Sequence, residues 1–426
     1  MAAQDVHTQA TRGGAMAARR PGPGRVSLTR RGLLRTTLAA GAAGPLLSAC
    51  GDQLYTTGEL QIASPDAPVR WPVHPDTPMI ESGLEPQPGS VLRLYNYADY
   101  LSPRVLKDFT QEYGVEISLA TFNDTDEALT KIAAGGLHYD VYFPSYDQIG
   151  RMVAARLVLP LNHDYLPNIA NCWPQFQDPW YDLGWQYSVP YTTYTTGIGW
   201  NTELVPDDIA ALPNPYDALW DPAYRGRAAI IDDWHTAMAF PLLRHGIHDV
   251  NTGNAAALEL LRHDLLALNE TSEPRVTITM YNDLPAGQIG IAQMWSGDIV
   301  NAVYYLPKGT TPDVLRYWVP EDGSGLVDND LMMVLSGGKN PVAAHYFLNY
   351  LLDEGVAQKN FGYTGYQPPQ NAIKPQLLVA DGYLPENLRT AAVLPRYFDT
   401  GARLLELPIT VDGRWHEIWQ EFKAGG

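Results

Sequence analysis

Residues 91–100, VLRLYNYADY, decide how this 426-residue chain is read. Val91, Leu92, Leu94 and Tyr95 form a short apolar, β-prone run broken only by Arg93, the pattern of a buried strand. Asn96-Tyr97-Ala98-Asp99-Tyr100 follows and makes poor strand. Ser102-Pro103 then opens a predicted helix over 104–113, with Ser as N-cap and Pro at the first position, and Gly114 ends it. Two tyrosines and a carboxylate are thus expected in the loop at the carboxyl end of the first strand of an α/β unit, the place where open α/β sheets bind ligands. Such a loop suits a small cation, with the carboxylate supplying charge and the rings supplying cation–π contact. The same residues also fit one core Tyr, one surface Tyr and a solvated Asp, and the loop alone does not choose.

Outward from this stretch the pattern repeats. Residues 115–121 read as a second strand and 125–134 as a helix, with Thr125 as N-cap and Gly135-Gly136 as stop. Residues 140–143 read as a third strand ending in Pro144-Ser145-Tyr146-Asp147, and 149–155 as the next helix. This β-α-β-α-β alternation predicts a mostly parallel, doubly wound sheet. Residues 186–200, QYSVPYTTYTTGIGW, are β-branched, aromatic and long for one strand, and read as an extended pass between two lobes. Two more predicted strands end in polar-aromatic loops: 228–231 before Asp232-Asp233-Trp234-His235-Thr236, and 289–294 before Trp295-Ser296-Gly297-Asp298. Asp328-Asn329-Asp330 precedes an apolar strand at 331–335 that is expected to return to the first lobe. Residues 414–422 predict a helix with Trp415, Ile418, Trp419 and Phe422 on one face.

The first 49 residues carry seven arginines and one acid, Asp5. The remainder holds 22 basic against 46 acidic residues, a formal charge of −24 where the whole chain has −18. A body this acidic does not track a phosphate backbone, which excludes nucleic acid as a partner; it is compatible with cationic ligands and with plain solubility. Two cysteines, Cys50 and Cys172, allow neither a disulfide framework nor a Cys metal cluster.

Arg30-Arg31 is followed by an apolar run over 38–47 that is too short to span a bilayer, and then by Leu47-Ser48-Ala49-Cys50-Gly51. Twin arginines, an apolar stretch and small residues before Cys resemble, in that order, an export signal with a bacterial lipobox. The resemblance implies cleavage before Cys50 and a lipid on its sulfur. Residues 51–88, with Pro65, Pro68, Pro72, Pro75, Pro78, Pro86 and Pro88, then read as an extended tether.

The order of motifs resembles the extracytoplasmic solute-binding proteins of ABC importers, in particular the spermidine/putrescine-binding family. The residues that carry it are Asn96-Tyr97-Ala98-Asp99-Tyr100, Tyr139-Asp140-Val141 with Pro144-Ser145, Val189-Pro190-Tyr191, Gly197-Ile198-Gly199-Trp200-Asn201, Leu219-Trp220-Asp221-Pro222, Asp232-Asp233, Met294-Trp295-Ser296-Gly297 and Gly365-Tyr366-Gln367-Pro368. It covers residues 89–426 and implies a two-lobed α/β fold of the type II periplasmic-binding-protein kind, with mostly parallel sheets and a ligand cleft between lobes that close by a hinge. The implied organisation is an export signal (1–49), a lipidated Cys and tether (50–88), lobe 1 (89–199, with 331–372 returning) and lobe 2 (200–330, with 373–426 returning).

By position the resemblance places Tyr97, Asp99 and Tyr100 against the ligand, then Ser145 and Asp147, the carboxylate of Asp233, the wall of Trp295 and the late aromatic Tyr366. Thr236 stands where the family often has a second acid. At 327–329 the family's Trp-x-Asp is replaced by Val327, Asp328 and Asn329; Asn329 takes the place of the acid, with Asp328 and Asp330 on either side. The implied role is capture of a small cationic solute, a polyamine, by a monomer anchored at the outer face of the cytoplasmic membrane or periplasmic side, for delivery to an ABC permease and its ATPase. The same fold binding another small solute, or a non-transporting sensor lipoprotein, are the alternatives.

An enzyme is disfavoured. The chain has no G-x-S-x-G, H-E-x-x-H, Walker A or G-x-G-x-x-G. His235 beside Asp232 and Asp233 is a poor metal cluster, because adjacent residues on one loop rarely converge on one ion. No cofactor or metal is expected. If the lipobox reading holds, Cys50→Ser moves the protein from the membrane to the soluble fraction on cell fractionation; continued sedimentation with membranes overturns it.

Overall fold

The computed structural model describes residues 61–136 and 138–425. In chain order these form β1 (Val91–Tyr97), α1 (Pro103–Tyr113), β2 (Glu116–Phe122), α2 (Thr125–Ala133), β3 (Val141–Tyr142), α3 (Ile149–Ala154), β4 (Ser188–Asn201), β5 (Ala228–Ile231), α4 (Trp234–Arg244), α5 (Ala255–Thr271), β6 (Arg275–Thr277), β7 (Ile291–Trp295), α6 (Ser296–Ala302), β8 (Leu315–Trp318), β9 (Leu326–Val334), α7 (Pro341–Leu351), α8 (Glu354–Thr364) and α9 (Ile409–Lys423), with short turns between. Local signals explain most boundaries. Pro103 opens α1 and Gly114, at φ +66°, closes it. Asp233 caps α4 by accepting the Thr236 N–H at 2.8 Å. The cap of α2 is Asp124, not Thr125; its carboxylate accepts the Glu127 N–H at 2.7 Å.

The nine strands form one sheet in the order β2-β1-β3-β9-β4-β7-β5-β6, with β8 added beside β4. Parallel pairing is confined to the two flanks, β2-β1-β3 and β7-β5-β6. The strands at the centre are antiparallel, which corrects the expectation of mostly parallel pairing. The reason is topological: β4 carries the chain from lobe 1 to lobe 2 and β9 brings it back, so the two run in opposite directions. β4 pairs with β9 from Ser188 to Thr196, then with β7 from Thr196 to Trp200 and with β8 from Ile198 to Asn201. Its 14 residues reach about 46 Å at ~3.3 Å per residue, enough to serve both lobes. Gly197 permits this crowding, since a Cβ there would lie 2.1 Å from the Trp318 carbonyl oxygen.

Lobe 1 buries one apolar cluster around Leu94, Phe109, Tyr142, Met333 and Phe347. Lobe 2 has two, one on each face of its part of the sheet: the first around Trp200, Phe240, Leu261 and Trp415, the second around Met294, Ile299, Tyr317 and Leu388. Trp415, Ile418, Trp419 and Phe422 of α9 are all buried in the first. Cys172 is fully buried, and burial pushes its thiol up to about 12. Two expectations are corrected. Asp328-Asn329-Asp330 lies inside β9 rather than before it. Residues 61–88 are not a free tether but a strap around lobe 1. Val69 and Trp71 are buried, the Trp71 indole donates to the Tyr181 carbonyl at 2.8 Å, Val69 bonds the backbone of Trp180 and Leu183, and the Tyr165 hydroxyl donates to the Glu81 carbonyl at 2.7 Å. Proline spacing reports an extended backbone; it carries no information on whether that backbone is covered. Arg30, Arg31 and Cys50 lie outside the described residues.

Removing the strap's anchor tests this packing. Trp71→Ala is expected to cost about 3 kcal/mol in urea unfolding, the lower end for loss of a buried large aromatic; an unchanged unfolding midpoint shows that the strap adds nothing.

Candidate functional site

The carboxyl-end loops of β1, β3, β5 and β7 open onto one cleft between the lobes, which encloses about 270 Å³. The β1 loop is held from below by a bulge in β4. Register shifts between Pro190 and Thr192, and the extra residue, Tyr191, donates its hydroxyl to the Tyr100 carbonyl. Asn360 fixes that ring by donating to the Tyr191 hydroxyl at 2.8 Å while accepting the Ser102 N–H at 2.9 Å. The Tyr100 hydroxyl is then aimed at Thr192 and at Asp330 Oδ2, 2.7 Å away. The Tyr194 hydroxyl reaches Asp330 Oδ1 at 3.2 Å. The Asp330 carboxylate is therefore held by two phenols.

Aromatic rings surround it. Tyr100 meets Tyr97 and Tyr366 edge to face, with centroids 5.8 and 4.7 Å apart. Tyr194 meets Trp295 at 6.3 Å and Tyr366 at 5.9 Å. The Tyr366 hydroxyl donates to Asp298 Oδ1 at 2.8 Å, and Asp298 Oδ2 is buried with no hydrogen-bond partner. Asp147 accepts the Ser145 hydroxyl, in a loop bridged to β9 at Asp330, and Asp233 accepts the Thr236 N–H. Asp99 stands at the mouth, exposed, in a left-handed conformation at φ +55°, 3.5 Å from the Tyr281 hydroxyl.

Burial dominates the electrostatics. It pushes the carboxyls of Asp298 and Asp330 up to about 7 and that of Asp233 up to about 6, and it raises Asp147. The neighbouring charge of Asp147 pushes Asp233 further in the same direction. Asp126, at the cleft edge, is the opposite case. Burial pushes it up, but His416, Arg151 and the Trp234 indole together hold it well below the usual carboxylate range. His235 is stacked on Trp234, and burial pushes it down to about 4, so it is neutral. Among the described residues no group of three or more His, Cys, Asp or Glu is placed to hold a metal ion.

Of the sequence-derived candidates, Tyr97, Asp99, Tyr100, Ser145, Asp147, Asp233, Thr236, Trp295, Asp330 and Tyr366 all line this cleft. Asn329 does not. It is fully buried, donating to the Tyr181 hydroxyl at 3.1 Å and accepting from Arg403 Nη2 at 2.8 Å. Successive residues of a strand point to opposite faces, so β9 turns Asp328 and Asp330 to the cleft and Asn329 away. The sequence reading leaves Asp298, Tyr194 and Asp126 out of the site and holds Asp328 open beside Asp330; all four line the cleft. Asp298 had a legible signal, one turn after Trp295 at the start of a helix. Tyr194 had none, because it sits inside a run read only as a crossing strand.

Residues 104–382 match the family model described as bacterial extracellular solute-binding protein. Among curated relatives, the "Putrescine/cadaverine-binding protein" of Pseudomonas aeruginosa is 28% identical over 71% of this chain and 87% of its own length. The "Spermidine/putrescine-binding periplasmic protein" of Escherichia coli is 27% identical over 67% of this chain and 79% of its own. Among solved structures, a putative spermidine/putrescine ABC transporter protein from Listeria monocytogenes superposes with a TM-score of 0.67 at 27% identity, covering 79% of this chain and 99% of that one. The family match, which spans more than half of the chain, and the two-lobed fold agree: the chain belongs to the bacterial extracellular solute-binding proteins.

Proposed function

We propose that this chain captures a small polyamine in the interlobe cleft by hinge closure and delivers it, as a monomeric exported lipoprotein anchored through Cys50, to an ABC permease and its ATPase. The observation that carries the reading is Asp330, a buried carboxylate held by two tyrosine hydroxyls inside a ring of aromatic walls. A phenol orients a carboxylate without cancelling its charge, so the negative charge stays available to an ammonium group. In this reading the carboxylates of Asp330, Asp298, Asp147 and Asp233 receive the ligand's ammonium groups. Tyr97, Trp295 and Tyr366 flank the methylenes and supply cation–π contact. Asp99 meets the incoming cation at the mouth. Ser145 and Thr236 orient Asp147 and Asp233, and the named specificities of the relatives point to the same ligand class.

Calorimetry with putrescine, cadaverine, spermidine and spermine tests it, with neutral and anionic solutes as controls. Asp330→Asn keeps the shape and removes the charge, and is expected to weaken a bound amine at least tenfold, about 1.4 kcal/mol. Unchanged affinity in that variant places the recognition charge elsewhere, and silence toward every amine discards the polyamine.

The raised carboxyls set a pH dependence of definite sign. In the empty cleft Asp298 and Asp330 take up protons near 7 and Asp233 near 6. A primary amine stays charged up to about pH 10 and favours the ionised acids, so binding releases protons. Affinity therefore falls as pH drops from about 8 to about 5.5, by at least roughly tenfold. A flat profile over that range shows that these acids do not meet the ligand.

A further inference from the structure

Asp328 and Asp330 are two positions apart on the cleft face of β9, yet they differ in one respect: Asp328 already holds a cation. Arg403 lies behind the wall that Tyr146, Asp328 and Leu404 present to the cleft. Its guanidinium carbon sits 4.5 Å from the centre of the Tyr146 ring, 5.0 Å from Phe398 and 5.7 Å from Trp180. Nε is 3.6 Å from Asp328 Oδ1 and donates to the Tyr146 hydroxyl at 3.2 Å, while Nη2 donates to Asn329. The arginine side chain is only 9% exposed. An aromatic cage closed by a carboxylate is the chemistry that holds an organic cation. Here the occupant belongs to the chain.

We propose that Arg403 is a built-in cation filling the seat that a longer ligand's further ammonium would take, so that the cleft selects short diamines over triamines and tetramines. The inference rests on the polyamine reading and adds the residue that sets ligand length. The charge pattern supports it. Asp126 is occupied by Arg151 and His416, and Asp328 by Arg403. Of the other acids that line the cleft, Asp330, Asp298 and Asp233 are held by neutral donors, which leaves their charge for a ligand. Arg suits a fixed internal cation, since its planar fork reaches Tyr146 and Asn329 at once and keeps its charge at every working pH.

The experiment measures the affinities of putrescine, cadaverine and spermidine for the wild-type protein, R403A and R403K. Wild type and R403K are expected to prefer the diamines, and R403A to shift the diamine-to-spermidine ratio toward spermidine at least tenfold. Millimolar methylguanidinium is expected to raise the melting temperature of R403A and to leave that of wild type unchanged, because only the variant has an empty cage. R403M, which keeps an apolar stem in the cage, carries the same measurements if R403A does not fold. An unchanged ratio in a folded variant overturns the proposal. If the wild type binds no amine at all, the polyamine reading falls separately, and the methylguanidinium response alone decides: stabilisation of the variant supports the cation seat, and its absence overturns it.

Discussion

A carboxylate removed from water without a cation is costly, and the cleft of this protein gathers several at once. The fold meets the cost with neutral donors. Tyr100 and Tyr194 hold Asp330, Tyr366 holds Asp298, Ser145 holds Asp147, and a backbone N–H holds Asp233. Each donor fixes the oxygen it touches and leaves the charge in place. Burial therefore raises the affinity of these acids for protons. Much else in the molecule supports this state: the phenols need rigid platforms, and the platforms need a sheet that reaches both lobes.

The sheet supplies them through its two central strands. β4 and β9 pass the cleft side by side, so Tyr194 on one and Asp330 on the other are set by the same ladder. The bulge at Tyr191 links the ladder to the β1 loop, and Asn360 of α8 links that ring to Ser102 at the start of α1. Asp298 comes from the helix after β7 and Asp233 from the cap of the helix after β5, so lobe 2 contributes two carboxylates through helix starts. Lobe 1 contributes hydroxyls and Asp147 through loops.

How far this was legible from sequence depended on the kind of signal. Strand-loop-helix junctions announce themselves through apolar runs, prolines and caps, and the loops at Tyr97, Asp233 and Trp295 lie at such junctions. The long β-rich run at 186–200 likewise stood out as the crossing strand. What was hidden was facing. Asn329 stands at the position of the family's acid, yet a strand alternates, and only its neighbours Asp328 and Asp330 reach the cleft. Tyr194 was hidden for the same reason, inside a strand whose polar face no local motif reveals. The strap at 61–88 is hidden as well, since an extended proline-rich segment has the same sequence pattern whether it is free or pressed against Trp180 and Tyr181. Arg403 carried no local signal either, as Tyr146 and Trp180 of its cage lie more than two hundred positions before it.

The continuity of β4 and β9 has a mechanical consequence. Movement of one lobe against the other cannot swing freely on a slack connector, because two hydrogen-bonded strands run through the joint. It must twist them. The pair acts as a leaf spring, stiff along its length and most compliant where the ladder is interrupted between Pro190 and Thr192. That soft point adjoins Thr192, which is bonded to Tyr100, so elastic deformation of the spring and the aim of the phenol at Asp330 are geared together.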